Sequence, residues 1–197
     1  MKELWTAICN NFGVIVGVLG SLGGTILGWW LNNVSKRGKL KLIISKWIEE
    51  FKYNYQGHIV KSKSFETAEY YEYNLILDIY NDSSDVKILR NIHIEFVRGK
   101  ELLQSFIPKD ESTMQRSQHF THYDEVSPIN INPKSIYQLS LHNGLWKKDN
   151  SFDFITKTQT VWFVYNDENN REKRIKITTI QREEMFDSYF LEEQKNA

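Results

Sequence analysis

The sequence predicts a mainly β protein, an antiparallel sandwich preceded by one membrane-spanning helix. Three observations carry that prediction. A long apolar stretch lies near the start of the chain, runs of alternating apolar and polar residues dominate the remainder, and no βαβ alternation interrupts them. The 197 residues divide into a tail and signal anchor (1–35), a sandwich domain with a basic juxtamembrane start (36–182) and an acidic tail (183–197). The length allows one domain plus an anchor.

The anchor is the strongest element. From Leu4 to Ser35 no side chain except Cys9 ionises, and Phe12 to Leu31 is 20 residues of apolar or small side chains. At about 1.5 Å per residue that is about 30 Å, the thickness of a bilayer's hydrocarbon core. Trp5 and Phe12 lie toward one end and Trp29 and Trp30 at the other, where indole rings favour the interface. The stretch outruns a cleavable signal's apolar region and is followed by basic residues, so it reads as an uncleaved signal anchor. Lys2, Glu3 and the amino terminus precede it, and Lys36, Arg37, Lys39, Lys41 and Lys46 follow it. The positive-inside rule then predicts an outside N-terminus and a cytoplasmic C-terminal domain in a single-pass protein of the cell membrane. The absence of structural cysteines agrees with a reducing compartment. Cys9 reads as an apolar residue at the membrane edge, and the glycosylation triplets at Asn33 and Asn81 would never meet that machinery.

Six of the ten glycines fall in this segment. At about 100° per residue, Gly13, Gly17, Gly20, Ser21, Gly24 and Gly28 occupy an arc of about 100°, with Gly23 alone off it. Two small-xxx-small ridges thus run side by side, which is how membrane helices approach closely without a hydrophobic driving force. The expectation is a self-associating helix and a homo-oligomer.

The juxtamembrane segment 36–63 holds eight basic residues against Glu49 and Glu50, a net +6, which suits contact with anionic headgroups as well as setting topology. Gly38 reads as a helix stop. Leu40, Leu42 and Ile44 begin a strand. Ser45–Tyr55 is ambiguous, since Ile44, Trp47, Ile48, Phe51 and Tyr55 fit a helical face while Trp47, Phe51, Tyr53 and Tyr55 alternate with Glu49 as the exception. Aromatic and β-branched content favours the strand.

The remaining strands come in order along the chain. Tyr73, Leu75, Leu77 and Ile79 share one face, the turn-rich Asn81–Asp85 comes next, and Ile88, Ile92, Ile94 and Phe96 alternate with polar residues, which predicts an antiparallel pair closed by Arg98-Gly99-Lys100. Residues 108–128 read as irregular. Ile129 and Ile131 form a short strand broken by Pro133, and Tyr137, Leu139 and Leu141 resume it, with His142-Asn143-Gly144 as a turn. Val161–Tyr165 suits a central strand, and a polar turn joins it to Ile175 and Ile177, with Arg174 and Lys176 facing water. Met185, Phe186, Tyr189 and Phe190 have the spacing of a short docked helix. Seven to nine strands with N/D/S-rich turns resemble immunoglobulin-like sandwiches, without the Cys…Trp…Cys hallmark. The layout of one helix joined to such a sandwich is similar to small membrane-anchored proteins of low-GC bacteria, some associated with mobile elements. That resemblance transfers no functional residue.

The composition narrows function mostly by exclusion. Equal numbers of basic and acidic residues, 25 each, argue against a globally basic nucleic-acid binder and an acidic disordered tail protein. A single cysteine allows neither an intrachain disulfide nor a cysteine zinc site. No phosphate loop, dinucleotide fingerprint or nucleophile elbow occurs. His119 and His122 with Asp124 and Glu125 could ligate a divalent metal, but they lie on a polar loop and read as a solvated or partner-binding segment. His58, His93 and His142 are isolated, and neighbouring acidic pairs would point to opposite faces of a strand. Tyr70, Tyr71 and Tyr73 have acidic rather than basic neighbours, which disfavours base stacking. The sequence therefore predicts a non-enzymatic interaction module without cofactor or metal, whose partners are the bilayer, further copies of itself, and a protein or small ligand, with no nucleic acid. The alternative is a membrane effector whose sandwich senses a signal and triggers permeabilisation.

Overall fold

A computed structural model describes residues 11–36, 38–62, 65–117, 120–149 and 152–180. In chain order the elements are α1 (Phe12–Lys36), β1 (Leu40–Tyr55), β2 (His58–Lys61), β3 (Tyr70–Asn81), β4 (Lys87–Arg98), β5 (Glu101–Phe106), β6 (Lys109–Asp110), a 3-10 turn (Glu111–Thr113), β7 (Gln115–Arg116), β8 (Thr121–His122), β9 (Ile129–Ile131), β10 (Ile136–Trp146), α2 (Asp153–Lys157), β11 (Thr160–Asn166) and β12 (Glu172–Thr179).

One sheet has the order β2-β1-β3-β10-β6 and the other β12-β11-β4-β5, with β9 pairing the start of β4. All of these pairings are antiparallel. The order β1-β3-β10-β6 is that of strands A, B, E and D of an immunoglobulin-like sandwich, and β12-β11-β4-β5 is that of G, F, C and an added C′ strand. The fold class predicted from sequence is the fold observed.

Alternation builds the core. Tyr71, Tyr73, Leu75, Leu77 and Ile79 of β3 are wholly buried and meet Ile94 and Phe96 of β4, Leu139 and Leu141 of β10, and Val161 and Phe163 of β11. Each large side chain so buried contributes about 1.5–3 kcal/mol. In place of a disulfide the core has aromatic contacts, including Tyr73 with Phe96 (6.1 Å between centroids) and Phe96 with Phe154 of α2 (5.3 Å, edge-on).

Three expectations differ from the structure. The predicted β3–β4 pair is not a hairpin: the two strands lie in opposite sheets. Alternation cannot separate these cases, because strands paired in one sheet and strands facing across a core bury the same residues. Asn143 and Gly144 do not turn but continue β10, paired with Tyr73 and Glu72. A Cβ on Gly144 would fall 1.8 Å from the Tyr70 hydroxyl, so glycine here makes room for a ring. Residues 108–128 contain β6, the 3-10 turn and the small β7–β8 pair. The predicted C-terminal helix lies outside the described residues.

The ambiguous stretch is strand. β1 runs for 16 residues, and its register against β3 slips between Ile44 and Lys46, leaving Ser45 as a bulge. The bulge moves the inward series from Leu40, Leu42 and Ile44 to Trp47, Glu49 and Phe51. That three-residue step from Ile44 to Trp47 imitates helical spacing. Glu49 is accommodated on the inner face by accepting the Tyr71 hydroxyl at 2.6 Å.

Candidate functional site: the α1 end of the sandwich

Helix α1 holds a stretch, Phe12–Val34, long and apolar enough to cross a membrane, and none of its apolar window packs against the sandwich. Trp29 and Trp30 are exposed at its far end, while Trp5 lies outside the described residues. Gly13, Gly17, Gly20, Gly24 and Gly28 are all in α1, and a Cβ built on any of them meets nothing within 4 Å. The stripe is therefore uncovered in the single chain. Ser21, on the same arc, donates its hydroxyl to the Val18 carbonyl at 3.0 Å, and Thr25 donates to Ser21 O at 2.9 Å. These hydroxyls are satisfied by the helix backbone, as a lipid environment demands.

Close packing against the sandwich is in place by Gly38, just past the helix. Gly38 follows Lys36 by two residues and abuts the β3–β4 corner. A Cβ at Gly38 would lie 2.2 Å from the Asp82 carbonyl oxygen and 2.4 Å from the Ser83 Cα. Its φ is not among the positive values of the chain, so glycine is needed for close approach and not for a left-handed helix stop. The Asp82 amide donates to Lys39 O at 3.2 Å. Beneath the corner Asn81 is fully buried: its amide donates to Asp85 O, Ile131 O and Asn132 O, and its Oδ1 accepts from the Ser83 amide. This polar knot carries the chain from one sheet to the other.

The basic residues divide by position. Lys36 ends α1, Lys39 is exposed at the joint and Lys41 pairs with Asp82 at 3.5 Å, whereas Arg37 lies outside the described residues. Lys46 is exposed beyond the bulge. Lys52 and Lys61 sit opposite each other at the far end of β1, about 45 Å along an extended strand from Gly38, well beyond the Debye length. There Lys52 bridges Glu50 (3.1 Å) and Glu72, and Lys61 pairs with Glu50 (3.1 Å). Burial by itself would raise the Glu50 carboxyl, yet Lys52 and Lys61 hold it below the ordinary carboxylate range. The net +6 of the juxtamembrane segment is thus not one collar.

Topology replaces the residues that leave. Lys87 of β4, Lys134 before β10 and Lys173 of β12 join Lys36, Lys39 and Lys41 at the α1 end, invisible in sequence because they lie far apart in the chain. A cleft of about 350 Å³ opens here between the joint and the β11–β12 turn, lined by Gly38, Lys39, Lys87, Tyr165, Asp167 and Lys173 among others. Lys87 pairs with Glu168 at 2.6 Å, and Asp167 accepts the amides of Asn169 and Arg171 at 3.0 and 2.9 Å. The Tyr165 hydroxyl is raised by burial, with Asp167 and Glu168 adding to the effect. The cleft can hold a small charged group. It pairs no nucleophile with a base.

Other polar candidates are structural. His122, exposed on β8, pairs with Asp124 at 3.2 Å, and His119 lies outside the described residues. Among the described residues no group of three or more His, Cys, Asp or Glu is placed to hold a metal. Tyr123 packs edge-on over His142 at 4.1 Å, and burial pushes the His142 pKa down. The sequence did not reveal Glu95. It faces outward from β4 yet is buried, beside Trp162 in register, with His93 at 3.4 Å and Arg174 at 3.5 Å.

Comparisons with known proteins agree with this architecture. A relative, the SPbeta prophage-derived uncharacterized protein YopI of Bacillus subtilis (strain 168), is 27% identical over 175 residues, covering 84% of this chain and 97% of that one. Among solved structures, a Bordetella pertussis chain described as an ApaA protein matches at 13% identity and a TM-score of 0.36, covering 74% of this chain and 93% of that one. An Archaeoglobus fulgidus protein matches at 8% and 0.31, covering 70% of this chain and 100% of that one. Likeness that slight carries no argument. The family model of the YopI Ig-like domain matches residues 38–178, from the joint to the last strand, and the chain belongs to that family.

Proposed function

We propose that the protein is a single-pass, membrane-anchored binding module with no catalytic step of its own. The observation that carries the reading is the division of labour in the chain. The sandwich closes its own core, while α1 leaves its apolar side chains unburied. Those side chains need another apolar medium, and a bilayer supplies it. By the positive-inside rule, Lys36, Arg37, Lys39, Lys41 and Lys46 after the helix support a cytoplasmic sandwich with the N-terminus outside. The open glycine stripe supports homo-oligomerisation, and clustering raises the apparent affinity of the sandwich for its protein or small-molecule ligand.

Carbonate washing and protease protection test the anchoring. The protein stays with the vesicles, and protease added outside intact cells leaves residues 36–197 whole. Release by carbonate, or external digestion of the sandwich, ends the reading. Crosslinking of the full chain tests self-association: Gly17→Ile, Gly20→Ile and Gly24→Ile abolish the crosslinked species.

The joint supports a second reading, a membrane effector. Gly38 packs against the β3–β4 corner two residues past the end of α1, which supports coupling between a rearrangement of the sandwich and the helix. The prophage origin of the Bacillus relative suits a trigger from phage infection. A membrane-potential dye in phage-challenged cells separates the readings, because only an effector depolarises.

A further inference from the structure

The outer face of the β1-β3-β10 sheet carries two strongly exposed isoleucines near its α1 end, set among polar side chains. In register across it stand Lys41, Tyr80 and Ile136, then Ile43, Asp78 and Gln138. Ile43 is 61% exposed and Ile136 72%, while their strand neighbours Leu42 and Tyr137 pack on the core. Lys41 stands 5.6 Å from the Tyr80 ring centroid. Lys46 and Lys134 are exposed at the same end. The two carboxylates are already engaged: Asp78 by Ser45 and by Gln138 at 3.1 Å, Asp82 by Lys41 at 3.5 Å and Lys134 at 3.3 Å.

We infer that this face, centred on Ile43, Tyr80 and Ile136, lies on the anionic bilayer surface, so that the sandwich reclines on the membrane. The inference rests on α1 being the anchor. Continuity argues for lipid as the occupant: Ile43 lies five residues past Gly38, about 16 Å along the strand, and Ile136 sits two strands over, about 10 Å from Lys41. Apolar side chains among lysines and a tyrosine are the composition that settles at the boundary of headgroups and acyl chains. A second copy fits less well, since a two-fold pairing sets this face, with Lys41, Lys46 and Lys134, against an identical lysine-bearing one. The Lys87–Glu168 cleft opens elsewhere, beside β12, and stays in water.

The test uses the full chain in nanodiscs of phosphatidylethanolamine and phosphatidylglycerol, on a Cys9→Ser background that leaves no native thiol. Nitroxides are placed singly at Ile43→Cys, Ile136→Cys, Lys176→Cys and Leu22→Cys. At Ile43 and Ile136 oxygen relaxes the label more than a water-soluble nickel chelate does. At Lys176, on the opposite sheet, the order reverses. Leu22 reports the anchor. Water-like values at Ile43 and Ile136 with Leu22 in lipid overturn the reclining face and leave the anchor standing. Water-like values at Leu22 remove both. Lipid-like values at Lys176 too, or spin–spin broadening between copies at Ile136, also overturn it.

Discussion

The knot around Asn81 is the part of the α1 end whose energetics can be worked most closely. Its Nδ2 donates to Asp85 O at 2.8 Å, Ile131 O at 3.0 Å and Asn132 O at 3.1 Å, and its Oδ1 accepts the Ser83 amide at 3.0 Å. Asn81 and Ser83 are both fully buried, so water cannot replace these partners. Asn81→Ala leaves at least the Ile131 carbonyl and the Ser83 amide without them, at about 1–3 kcal/mol each. A loss of about 3–5 kcal/mol is expected from a domain total of about 5–15. At about 2–4 °C per kcal/mol, the midpoint falls by roughly 6–20 °C. Asn81→Asp preserves size and one acceptor but sets a carboxylate against three carbonyl oxygens. Its folded pKa must then rise above the unfolded value of about 3.9. A raised folded pKa means stability present at low pH and lost as pH rises, so Asn81→Asp regains ground on the native chain as pH falls from 7 toward 4. Denaturation of the full chain in detergent, followed by near-ultraviolet circular dichroism, reads both. A cost below about 1 kcal/mol for Asn81→Ala, or an Asn81→Asp deficit that does not shrink in acid, refutes the reasoning.

Gly38→Ala drives a Cβ into the Asp82 carbonyl and must open the joint; it costs about 1–3 kcal/mol as overpacking, whereas Gly23→Ala, with open space around it, leaves the sandwich midpoint unchanged. Lys52→Met removes the bridge to Glu72 and leaves Glu50 to Lys61 alone, and costs about 1–2 kcal/mol by urea titration. Because the folded Glu50 pKa is depressed, its contribution is present above the ordinary carboxylate pKa of about 4.3 and lost as pH falls through the folded value, and Lys52→Met flattens that acid slope. His142 is depressed by burial, with Lys109 adding to it and Glu111 opposing. Its contribution is present above about pH 6.5 and lost on acidification, so thermal midpoints of His142→Gln depend less on pH between 7.5 and 5 than those of the native chain.

The sequence made the core legible because alternation is local: Tyr73, Leu75, Leu77 and Ile79 could be assigned to one buried face before any partner was known. It concealed whatever depends on partners. The β3–β4 crossing hides because inward residues look alike in one sheet or across two, and Asn81 reads as a turn residue until its carbonyl partners, 50 residues away, are in place. The Ser45 bulge hides as helical spacing. Gly38 was visible as a breaker, but its reason, the Asp82–Ser83 backbone, is tertiary. The long apolar helix was legible from composition alone, since apolarity and length do not depend on particular contacts.

On the proposed reading, an anchor at this end limits which partners can reach the sandwich. In variable immunoglobulin domains the B–C and F–G loops at one end carry recognition. Here the corresponding connections, Asp82–Val86 and Asp167–Arg171, lie at the end where the anchor enters, beside Gly38 and Lys39. If α1 spans the bilayer, those loops are membrane-proximal, and a bulky cytosolic protein cannot approach them end-on. A partner for them is either a small charged ligand entering the Lys87–Glu168 cleft sideways or another protein held in the same membrane. A soluble protein meets the opposite end, beyond the Ile43, Tyr80 and Ile136 rows that face lipid in the inferred orientation, where a cleft of about 560 Å³ is lined by Asn54, Glu69, Trp146, Lys147 and Lys148, and the Tyr70 and Trp146 rings lie 4.8 Å apart at a tilt. A photo-crosslinking residue in place of Asn169 therefore captures small ligands, lipid or integral membrane proteins, and one in place of Lys148 captures soluble proteins. Capture of the same large soluble protein at both positions contradicts an anchor at the loop end, since no such partner can occupy both with a bilayer beside one of them.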